Sequence, residues 1–284
     1  MNVLSLFDGM SCGQIALDRL GYKVDNYFAS EIKKCAMEVT NFNFPNTIQV
    51  GDITKLKGAD LPPIDLLLAG SPCQDFSRAN YIRDGLKGKK SSLFYEFLRI
   101  KEETNPKFWL LENVIMDNQS YGDLSKELNV FPVRICSSKV SAQLRDRLYW
   151  TNIKTSEDMF GYKSVNIQQP ANKNIYLQTI LDDGYTNLPK ARCLNRNSWY
   201  PSKNQEYLLN RYKTTGMITL IFENPNYTGF VRTVNKNEME KLQTVPVGYT
   251  KILSERQASD VLGDGWTIDI ICHILKELKG QLDI

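Results

Sequence analysis

The chain has 284 residues, of which 42% are hydrophobic and 24% are charged, and its formal net charge is +3. This composition indicates a soluble globular protein with one sizeable core and room for a small appended domain. No apolar stretch reaches the roughly 18–20 residues that a membrane span needs, and the first residues lack the charged segment of a signal peptide. We therefore expect a cytoplasmic protein with no membrane partner.

The cysteine and histidine content limits the possible chemistry. Six cysteines are widely spaced, without a C-x-x-C pair, and His273 is the single histidine. This pattern argues against a disulfide framework, a zinc ribbon and a histidine-based catalytic triad. We expect no metal ion, and we expect His273 to be a packed or half-exposed residue of a C-terminal helix.

The first predicted unit is a strand, a glycine-containing loop and a helix. Asn2–Phe7 is a short apolar segment, and the loop DGMSCG separates it from a helical pattern that ends at Gly21. This order is typical of the start of a Rossmann-type fold, in which backbone amides at a helix start contact the ligand. The loop is neither G-x-G-x-x-G nor a phosphate loop, which argues against a dinucleotide or a nucleoside triphosphate.

Acidic residues follow the next two predicted strands. Tyr27–Ser30 ends at Glu31, and Thr47–Val50 ends at Gly51 and Asp52. A carboxylate at such a strand end is suited to bind ribose hydroxyls, although each could also be a solvated surface charge. Together with the glycine loop, the two acids predict a nucleoside-binding site.

We expect the chain to be organised around Ile64–Ser77. Its apolar part, Ile64–Ala69, has the pattern of a buried parallel strand, and a Gly-Ser-Pro turn then presents Cys73 and Gln74. Ligands collect at the carboxyl ends of strands in open α/β sheets, so this position favours a nucleophile. A cysteine alone is more often a buried core residue, and this stretch by itself leaves both interpretations open.

A basic, glycine-containing loop, Gln74–Ser92, follows the turn. It carries two acidic residues, and its basic residues are Arg78, Arg83, Lys87, Lys89 and Lys90. The loop could be an ordinary solvated connection or a lid that closes over a polyanion.

Two further segments bring charged side chains toward the same edge of the predicted sheet. Lys107–Leu111 is an apolar strand that ends at Glu112, which makes Glu112 a candidate acid partner of the thiol. Val133–Cys136 and Leu148–Ile153 are typical of a β pair. Between them, the alternation of side chains along an extended chain places three polar residues on the same face, namely Gln143, Arg145 and Arg147. That face could meet water, an electron-rich ring or a phosphate.

The composition changes between Thr151 and Phe230. This stretch holds nine Lys or Arg against six Asp or Glu, with eleven Asn and eleven aromatic residues. Such mixtures serve groove recognition and phosphate contact, and a polar subdomain without a partner is the alternative. The helices predicted after it are Glu238–Gln243, Arg256–Leu262 and Ile268–Leu278.

In this order the motifs resemble those of the cytosine-5 DNA methyltransferases, over essentially the whole chain apart from the variable stretch. The similar segments are Phe7–Gln14, Gly70–Gln74, Glu112–Val114, Gln143–Arg147, Arg232–Thr233 and Glu238–Gln243. The resemblance implies an α/β, Rossmann-like methyltransferase fold, with a mixed, mostly parallel sheet and helices on both faces. It also implies a catalytic domain of residues 1–151 and 231–284, completed by the returning C-terminal helix, and a small target-recognition domain of residues 152–230.

The resemblance implies S-adenosyl-L-methionine as the cofactor and S-adenosyl-L-homocysteine as its product. Glu31 is similar to the ribose-binding acid of the family, and Asp52 to its adenine contact. The expected cofactor contacts are Phe7, Asp8, Gly9, Met10, Ser11, Cys12, Gly13, Glu31, Ile32, Asp52, Ile53, Pro72, Asp264, Gly265 and Trp266. Trp266 stands where many bacterial members carry Asn, which is a feature similar to the mammalian de novo enzymes.

For the reaction, the resemblance implies a covalent mechanism on cytosine. Cys73, next to Gln74, would add to carbon 6, and Glu112 would donate a hydrogen bond or a proton to N3. Arg145 and Arg147 would hold the base's O2 and orient Glu112. The base would be flipped out of double-stranded DNA. The expected DNA contacts are Arg78, Arg83, Lys87, Lys89, Arg192, Arg196, Asn197, Lys203 and Arg211.

Other functions fit parts of the sequence. The same motifs serve transfer-RNA cytosine methylation, but the Cys-Phe-Thr signature of that branch does not follow Glu112–Val114. A thymidylate-synthase-like enzyme would not need the basic insert, and a silent DNA-binding relative would usually lack Cys73 or Glu112. We expect a monomer of bacterial or phage origin that acts on a short site. The sequence leaves open the recognised DNA sequence and whether a cognate restriction enzyme exists.

Overall fold

A seven-stranded sheet lies at the centre of the protein in the computed structural model, which describes residues 1–71 and 92–281. Its strands are β1 (Asn2–Leu6), β2 (Asn26–Ser30), β3 (Ile48–Gln49), β4 (Leu66–Gly70), β5 (Phe108–Val114), β6 (Val133–Cys136) and β7 (Asp146–Thr151). Two smaller antiparallel pairs are β8 (Thr155–Glu157) with β9 (Lys163–Val165), and β10 (Leu220–Phe222) with β11 (Val231–Thr233). The helices are α1 (Cys12–Arg19), α2 (Lys34–Asn43), α3 (Ser92–Thr104), α4 (Asn118–Leu128), α5 (Gln205–Thr215), α6 (Lys236–Leu242), α7 (Glu255–Asp264) and α8 (Ile268–Leu275).

The strand order of the large sheet is β3-β2-β1-β4-β5-β7-β6. The pairs among β1 to β5 are parallel, whereas β7 runs antiparallel to both of its neighbours, β5 and β6. The predicted mixed, mostly parallel sheet is therefore confirmed. Because β7 is reversed, it begins where β5 ends, with Arg147 opposite Val114. The register of the neighbouring pair sets Gly70 beside Glu112.

Helices cover both faces of the sheet, because successive residues of a strand point to opposite sides. On one face Leu66 belongs to a buried cluster with Ile15 of α1 and Ile271 of α8. On the other face Leu67 belongs to a second cluster with Phe97 of α3. This arrangement confirms the predicted α/β class with helices on both faces.

The last helix packs against the first. The Tyr22 hydroxyl, just after α1, donates to the Leu275 carbonyl at 2.9 Å, and Arg19 forms an ion pair of 2.5 Å with Asp269. The α8 segment is therefore fixed to the loop-and-helix unit that opens the chain. None of the helices in the two described ranges is long and apolar enough to cross a membrane.

The observed elements differ from the predicted ones mainly at their ends. The strand predicted to end at Leu111 continues to Val114, because its last residues pair with the start of β7. Glu112 consequently lies within a strand and not after one. The helix predicted as Ile268–Leu278 is α-helical only to Leu275 and finishes as a 3₁₀ turn.

The stretch of residues 152–230 contains little regular structure and packs in two parts. Its first part contributes Ile167, Leu177 and Leu194 to the buried cluster that includes α1 and α8. Its second part has a small cluster of its own, in which Leu208 of α5 packs with Phe222 of β10. The variable stretch thus packs partly on the main core and partly in a small cluster that also includes Val231 of β11.

Candidate active site

The loop after β1 is left-handed at three positions. Phe7, Gly9 and Ser11 have φ angles of 56°, 59° and 58°. A Cβ atom added to Gly9 would have no atom of the described structure within 4 Å, whereas one added to Gly13 would lie 2.5 Å from Leu68 Cδ1. The start of α1 therefore packs directly on the sheet, and the loop in front of it has open space above Gly9. Such a loop suits a ligand that approaches the backbone closely.

Glu31, which follows β2, holds this loop in place. One carboxylate oxygen accepts from the Gly9 amide at 2.7 Å. The other accepts from the amides of Ile32 at 2.7 Å and Lys33 at 2.8 Å. The neighbouring Ile32 side chain is 74% exposed. An exposed aliphatic side chain beside a carboxylate offers one apolar and one polar contact to a nucleoside.

Asp8 is a buried carboxyl group at the base of the same loop. It accepts hydrogen bonds from the Ser11 hydroxyl and, at 2.9 Å, from the Tyr27 hydroxyl. Burial raises the pKa of Asp8 to about 6, although its hydrogen bonds with Ser11, Ser5 and Tyr27 act in the opposite direction. Ionisation of Asp8 is therefore costly in the folded protein.

This cost predicts a pH dependence of stability that depends on Asp8. Between pH 4 and pH 6 the folded protein binds more protons at Asp8 than the unfolded chain, whose Asp pKa is ~3.9, so stability falls as pH rises through this window. We expect the unfolding free energy of the wild type, relative to Asp8→Asn, to fall by about 2 kcal/mol between pH 4 and pH 7. Urea unfolding of both proteins at each pH measures this difference. A difference that stays constant with pH would contradict the prediction.

Asp52 follows β3 and behaves differently from Asp8. Its carboxylate accepts from the Thr54 amide and from the Thr54 hydroxyl, both at 2.9 Å, and the backbone bond in particular lowers the pKa of Asp52. Asp52 is only partly buried, and the adjacent Ile53 is buried. The second acid of the predicted nucleoside site is thus a charged group at the sheet edge.

Glu112 is held by two donors. Its side chain is buried, Arg147 Nε lies 2.9 Å from Oε1, and the Trp266 indole nitrogen donates to Oε2 at 3.1 Å. A Cβ atom added to Gly70 would lie 2.8 Å from the same indole nitrogen. The indole that reaches Glu112 therefore occupies the space that a side chain at position 70 would need.

The end of β4 is tied to the end of β5. The Asn113 side-chain amide donates to the Ser71 hydroxyl at 2.9 Å, and both residues are buried. Ser71 is the last residue described before the gap. Pro72, Cys73 and Gln74 lie outside the described residues, as do the predicted DNA contacts in the basic loop, namely Arg78, Arg83, Lys87 and Lys89.

Arg145 is buried and its described partners are mainly carbonyl oxygens. Its guanidinium group donates to the carbonyls of Leu194 at 3.0 Å and Gly265 at 2.7 Å, and to that of Gly263 at 3.3 Å. The Arg145 side chain thereby joins the variable stretch to the end of α7. The predicted contact of Arg145 with a base stays a prediction.

Gln143 lies in a buried polar network behind the arginines. Its amide nitrogen donates to the Leu242 carbonyl at 3.0 Å and to Gln243 at 3.1 Å, and its oxygen accepts from the Leu194 amide at 2.9 Å. Gln243 in turn donates to the Gly265 carbonyl at 3.1 Å. The network fixes the segment before β7 against α6 and the turn before α8.

The turn before α8 meets the loop after β1. The Trp266 amide donates to the Cys12 sulfur at 3.3 Å, and the Tyr249 hydroxyl donates to the Met10 carbonyl at 2.8 Å. A Cβ atom added to Gly265 would lie 2.9 Å from the Met10 methyl carbon. Residues that are about 250 positions apart in the sequence are therefore in direct contact beside the loop after β1.

The remaining predicted residues lie at the surface. Asp264 forms ion pairs with Lys33 at 2.6 Å and with Arg196 at 2.8 Å. Arg192, Asn197 and Lys203 are exposed. The Arg211 guanidinium lies 5.2 Å above the Tyr200 ring, near an open cavity lined by Lys203 and Tyr207.

Some residues of the site could not be found from the sequence. Cys193 contacts both arginines, and Gln243 and Tyr249 position the loops described above. Gln243 is part of a recognised motif, but neither its spacing nor its type indicates what it binds. Cys193 and Tyr249 carry no sequence signal of this kind.

Comparison with known proteins agrees with this arrangement. The family model described as C-5 cytosine-specific DNA methylase matches residues 1–229. The Type II methyltransferase M.NgoBV of Neisseria gonorrhoeae is 40% identical over 115 residues, which cover 39% of this chain and 27% of that protein. The Type II methyltransferase M.NgoPII of the same species is 28% identical over 240 residues, which cover 80% of this chain and 67% of that protein.

A solved structure shows the same fold. The Entamoeba histolytica methyltransferase EhMeth has a TM-score of 0.71 and 16% identity, with 100% of this chain and 99% of that chain covered. Because the family model covers more than half of the sequence, the chain belongs to the C-5 cytosine-specific DNA methylase family. The match spans about a quarter of the length of M.NgoBV.

Proposed function

We propose that the protein is a DNA (cytosine-5-)-methyltransferase that transfers a methyl group from S-adenosyl-L-methionine to carbon 5 of a cytosine in double-stranded DNA. The observation that carries this proposal is the position of Glu112. Its carboxylate is held by Arg147 and Trp266. In the sheet Glu112 pairs with Gly70, which precedes Cys73 of the Pro-Cys motif by three positions in the sequence. A fixed acid beside the strand that leads to a candidate nucleophile suits addition to a cytosine ring.

The residues around the loop after β1 fit the cofactor. The left-handed loop leaves open space above Gly9, Glu31 and Asp52 are acids at neighbouring strand ends, and Ile32 is an exposed apolar side chain. The acids suit the polar ribose and the polar edge of adenine, the exposed aliphatic side chain suits the apolar face of adenine, and the open loop suits a close backbone contact. When bound, the cofactor supplies an electrophilic methyl group on a sulfonium sulfur.

The protein's own residues would prepare carbon 5 of the base. The Cys73 thiolate adds to carbon 6, and the electrons of the 5,6 double bond make carbon 5 nucleophilic while Glu112 supplies a hydrogen bond or a proton at N3. Loss of the carbon 5 proton and release of the Cys73 sulfur from carbon 6 then restore the aromatic ring. Arg147 orients Glu112, and Arg145 positions the surrounding loops.

Because carbon 5 and carbon 6 are shielded in a stacked duplex, the target base would be flipped out at a cost of a few kcal/mol. We propose that residues 152–230 act as the target-recognition domain and residues 1–151 and 231–284 as the catalytic domain. The exposed Arg192, Asn197 and Lys203 and the stacked Arg211 support this division, because basic and amide side chains contact phosphates and base edges. We propose that the protein is a cytoplasmic monomer.

The proposal is tested with purified protein, S-adenosyl-L-methionine labelled in its methyl group, unmethylated duplex DNA and transfer RNA. We expect label at carbon 5 of cytosine in DNA, in one short sequence context after bisulfite mapping, and none in the RNA. Cys73→Ala protein controls for contaminating methyltransferases. Label in RNA alone would show that the substrate is RNA and not DNA. Cofactor binding without any methyl transfer would indicate a catalytically silent DNA-binding relative.

A further inference from the structure

Cys193 is a thiol between the two arginines of the candidate active site. Its side chain is half-buried, and its sulfur lies 3.5 Å from Arg145 Nη1 and 3.7 Å from Arg147 Nη2. Both distances are within the range of a hydrogen bond to sulfur. Cys193 belongs to the variable stretch, whereas both arginines belong to the segment that forms the start of β7. The thiol is therefore a direct contact between the stretch that would read DNA and the groups that would act on the base.

Among the residues that the structure describes, the charges around this contact favour a second anion. Arg145 and Arg147 carry two positive charges in a buried site, and Glu112 supplies one negative charge, to Arg147. The described oxygen partners of Arg145 are neutral carbonyls, those of Leu194, Gly263 and Gly265. Burying an unbalanced guanidinium charge is costly. A thiolate at Cys193 would balance the charges of these four described side chains, at two positive and two negative.

The two guanidinium groups beside the thiol favour its ionised form, whereas its contact of 3.5 Å with the Leu194 carbonyl is a hydrogen bond only in the protonated form. Burial acts to raise the pKa of Cys193, but the positive charges of Arg145 and Arg147 and their hydrogen bonds to the sulfur outweigh it, so the pKa is lowered. Cys12 and Cys272 show the contrast. Burial dominates at both and raises their pKa values, to about 12 and about 11.

We propose that Cys193 is a positioning residue whose thiolate bridges the guanidinium groups of Arg145 and Arg147 and so holds Arg147 against Glu112. This inference rests on the proposed methyltransferase function for its effect on rate. The bridge fixes Arg147 from two sides, by the Glu112 carboxylate at Nε and by the sulfur at Nη2. Without the sulfur's charge, one of the described contacts that hold Arg147 beside Glu112 would weaken, and the acid would be less precisely oriented.

Three variants separate a charged role from a packing role. Cys193→Ser keeps the size of the side chain and removes its charge at neutral pH, Cys193→Asp keeps a negative charge, and Cys272→Ser is the control for loss of a half-buried thiol elsewhere. We expect Cys193→Ser to lower kcat about tenfold, with KM for cofactor and DNA within about twofold, and Cys193→Asp to recover most of that loss. We expect Cys272→Ser to retain the wild-type kcat. If Cys193 only fills space, the order is reversed, because aspartate would then be worse than serine.

A second measurement does not depend on activity. The ultraviolet thiolate absorbance of the wild type minus that of Cys193→Ser, followed against pH, isolates the titration of Cys193. We expect its midpoint below the value of about 8.5 for a free cysteine. A midpoint at or above that value would overturn the proposal, whether or not the protein methylates DNA. If the wild type transferred no methyl group at all, the proposed function would be wrong. The titration of Cys193 would still test the bridge.

Discussion

Replacing Glu112 with Gln is expected to lower kcat by about 10²–10⁴-fold while the protein still folds and binds its cofactor. The carboxylate accepts from both Arg147 and Trp266 in the wild type. Glutamine has one acceptor oxygen in place of two, and its neutral amide neither pairs with the Arg147 charge nor exchanges a proton with the base. Single-turnover methylation of duplex DNA measures the loss of rate, and cofactor binding by calorimetry measures what is retained.

The control for this substitution is Glu277→Gln. Glu277 forms an ion pair of 2.8 Å with Lys154, which follows the end of β7, whereas Arg147 and its partner Glu112 lie near the start of that strand. We expect its removal to change kcat by less than about twofold, because an exposed pair contributes ~1 kcal/mol or less to stability. Equal rates for Glu112→Gln and wild type would show that the acid has no part in the chemistry.

Replacing Gly263 with Ala is expected to destabilise the protein by about 3 kcal/mol, at the upper end of what overpacking costs. A Cβ atom at this position would lie 2.3 Å from the Asn195 carbonyl carbon and 2.6 Å from the Arg196 amide nitrogen. Both neighbours are backbone atoms, so the segment next to Cys193 must move. Because Arg145 bonds to the carbonyls of Leu194 and Gly263, the movement should also lower kcat about tenfold.

A matched glycine is available within α4. A Cβ atom at Gly122 would have no neighbour within 4 Å among the described residues. Gly122→Ala should therefore be neutral or stabilise by up to about 1 kcal/mol through helix propensity alone. Urea unfolding of the two variants gives the comparison. Similar unfolding free energies for the two variants would mean that the backbone of Asn195 and Arg196 moves away from the new methyl group without loss of stability.

The sequence predicted the order of the central elements because each leaves a local signal. Apolar runs such as Ile64–Ala69 identify buried parallel strands, and the observed strand is Leu66–Gly70. Alternation put Gln143, Arg145 and Arg147 on one face without deciding what that face meets. In the structure Gln143 and Arg145 are buried and Leu144 is exposed. The end of β5 was misplaced because its last residues are held by pairing with the reversed β7, a contact that no local pattern reveals.

The contacts of the candidate site were less accessible to sequence reasoning. The expected contact of Trp266 with the cofactor stays a prediction, and the sequence did not indicate that its indole nitrogen donates to Glu112, 154 residues away. Arg196 was expected on DNA, and its described partners include Asp264. Cys193 was not singled out at all. Each of these side chains is placed by the return of a distant segment, which spacing and composition do not encode.

The pairing of α1 with α8 also has a consequence for synthesis of the protein. Arg19 and Asp269, which join the two helices, are separated by 250 positions. At a translation rate of about 5–20 residues per second, the apolar side of α1 would wait about 12–50 s for its partner to be made. During that interval the nascent chain exposes an unfinished hydrophobic surface beside β1. Chaperone demand should therefore be highest late in translation, and slow decoding of the region before α8 should lower the soluble yield.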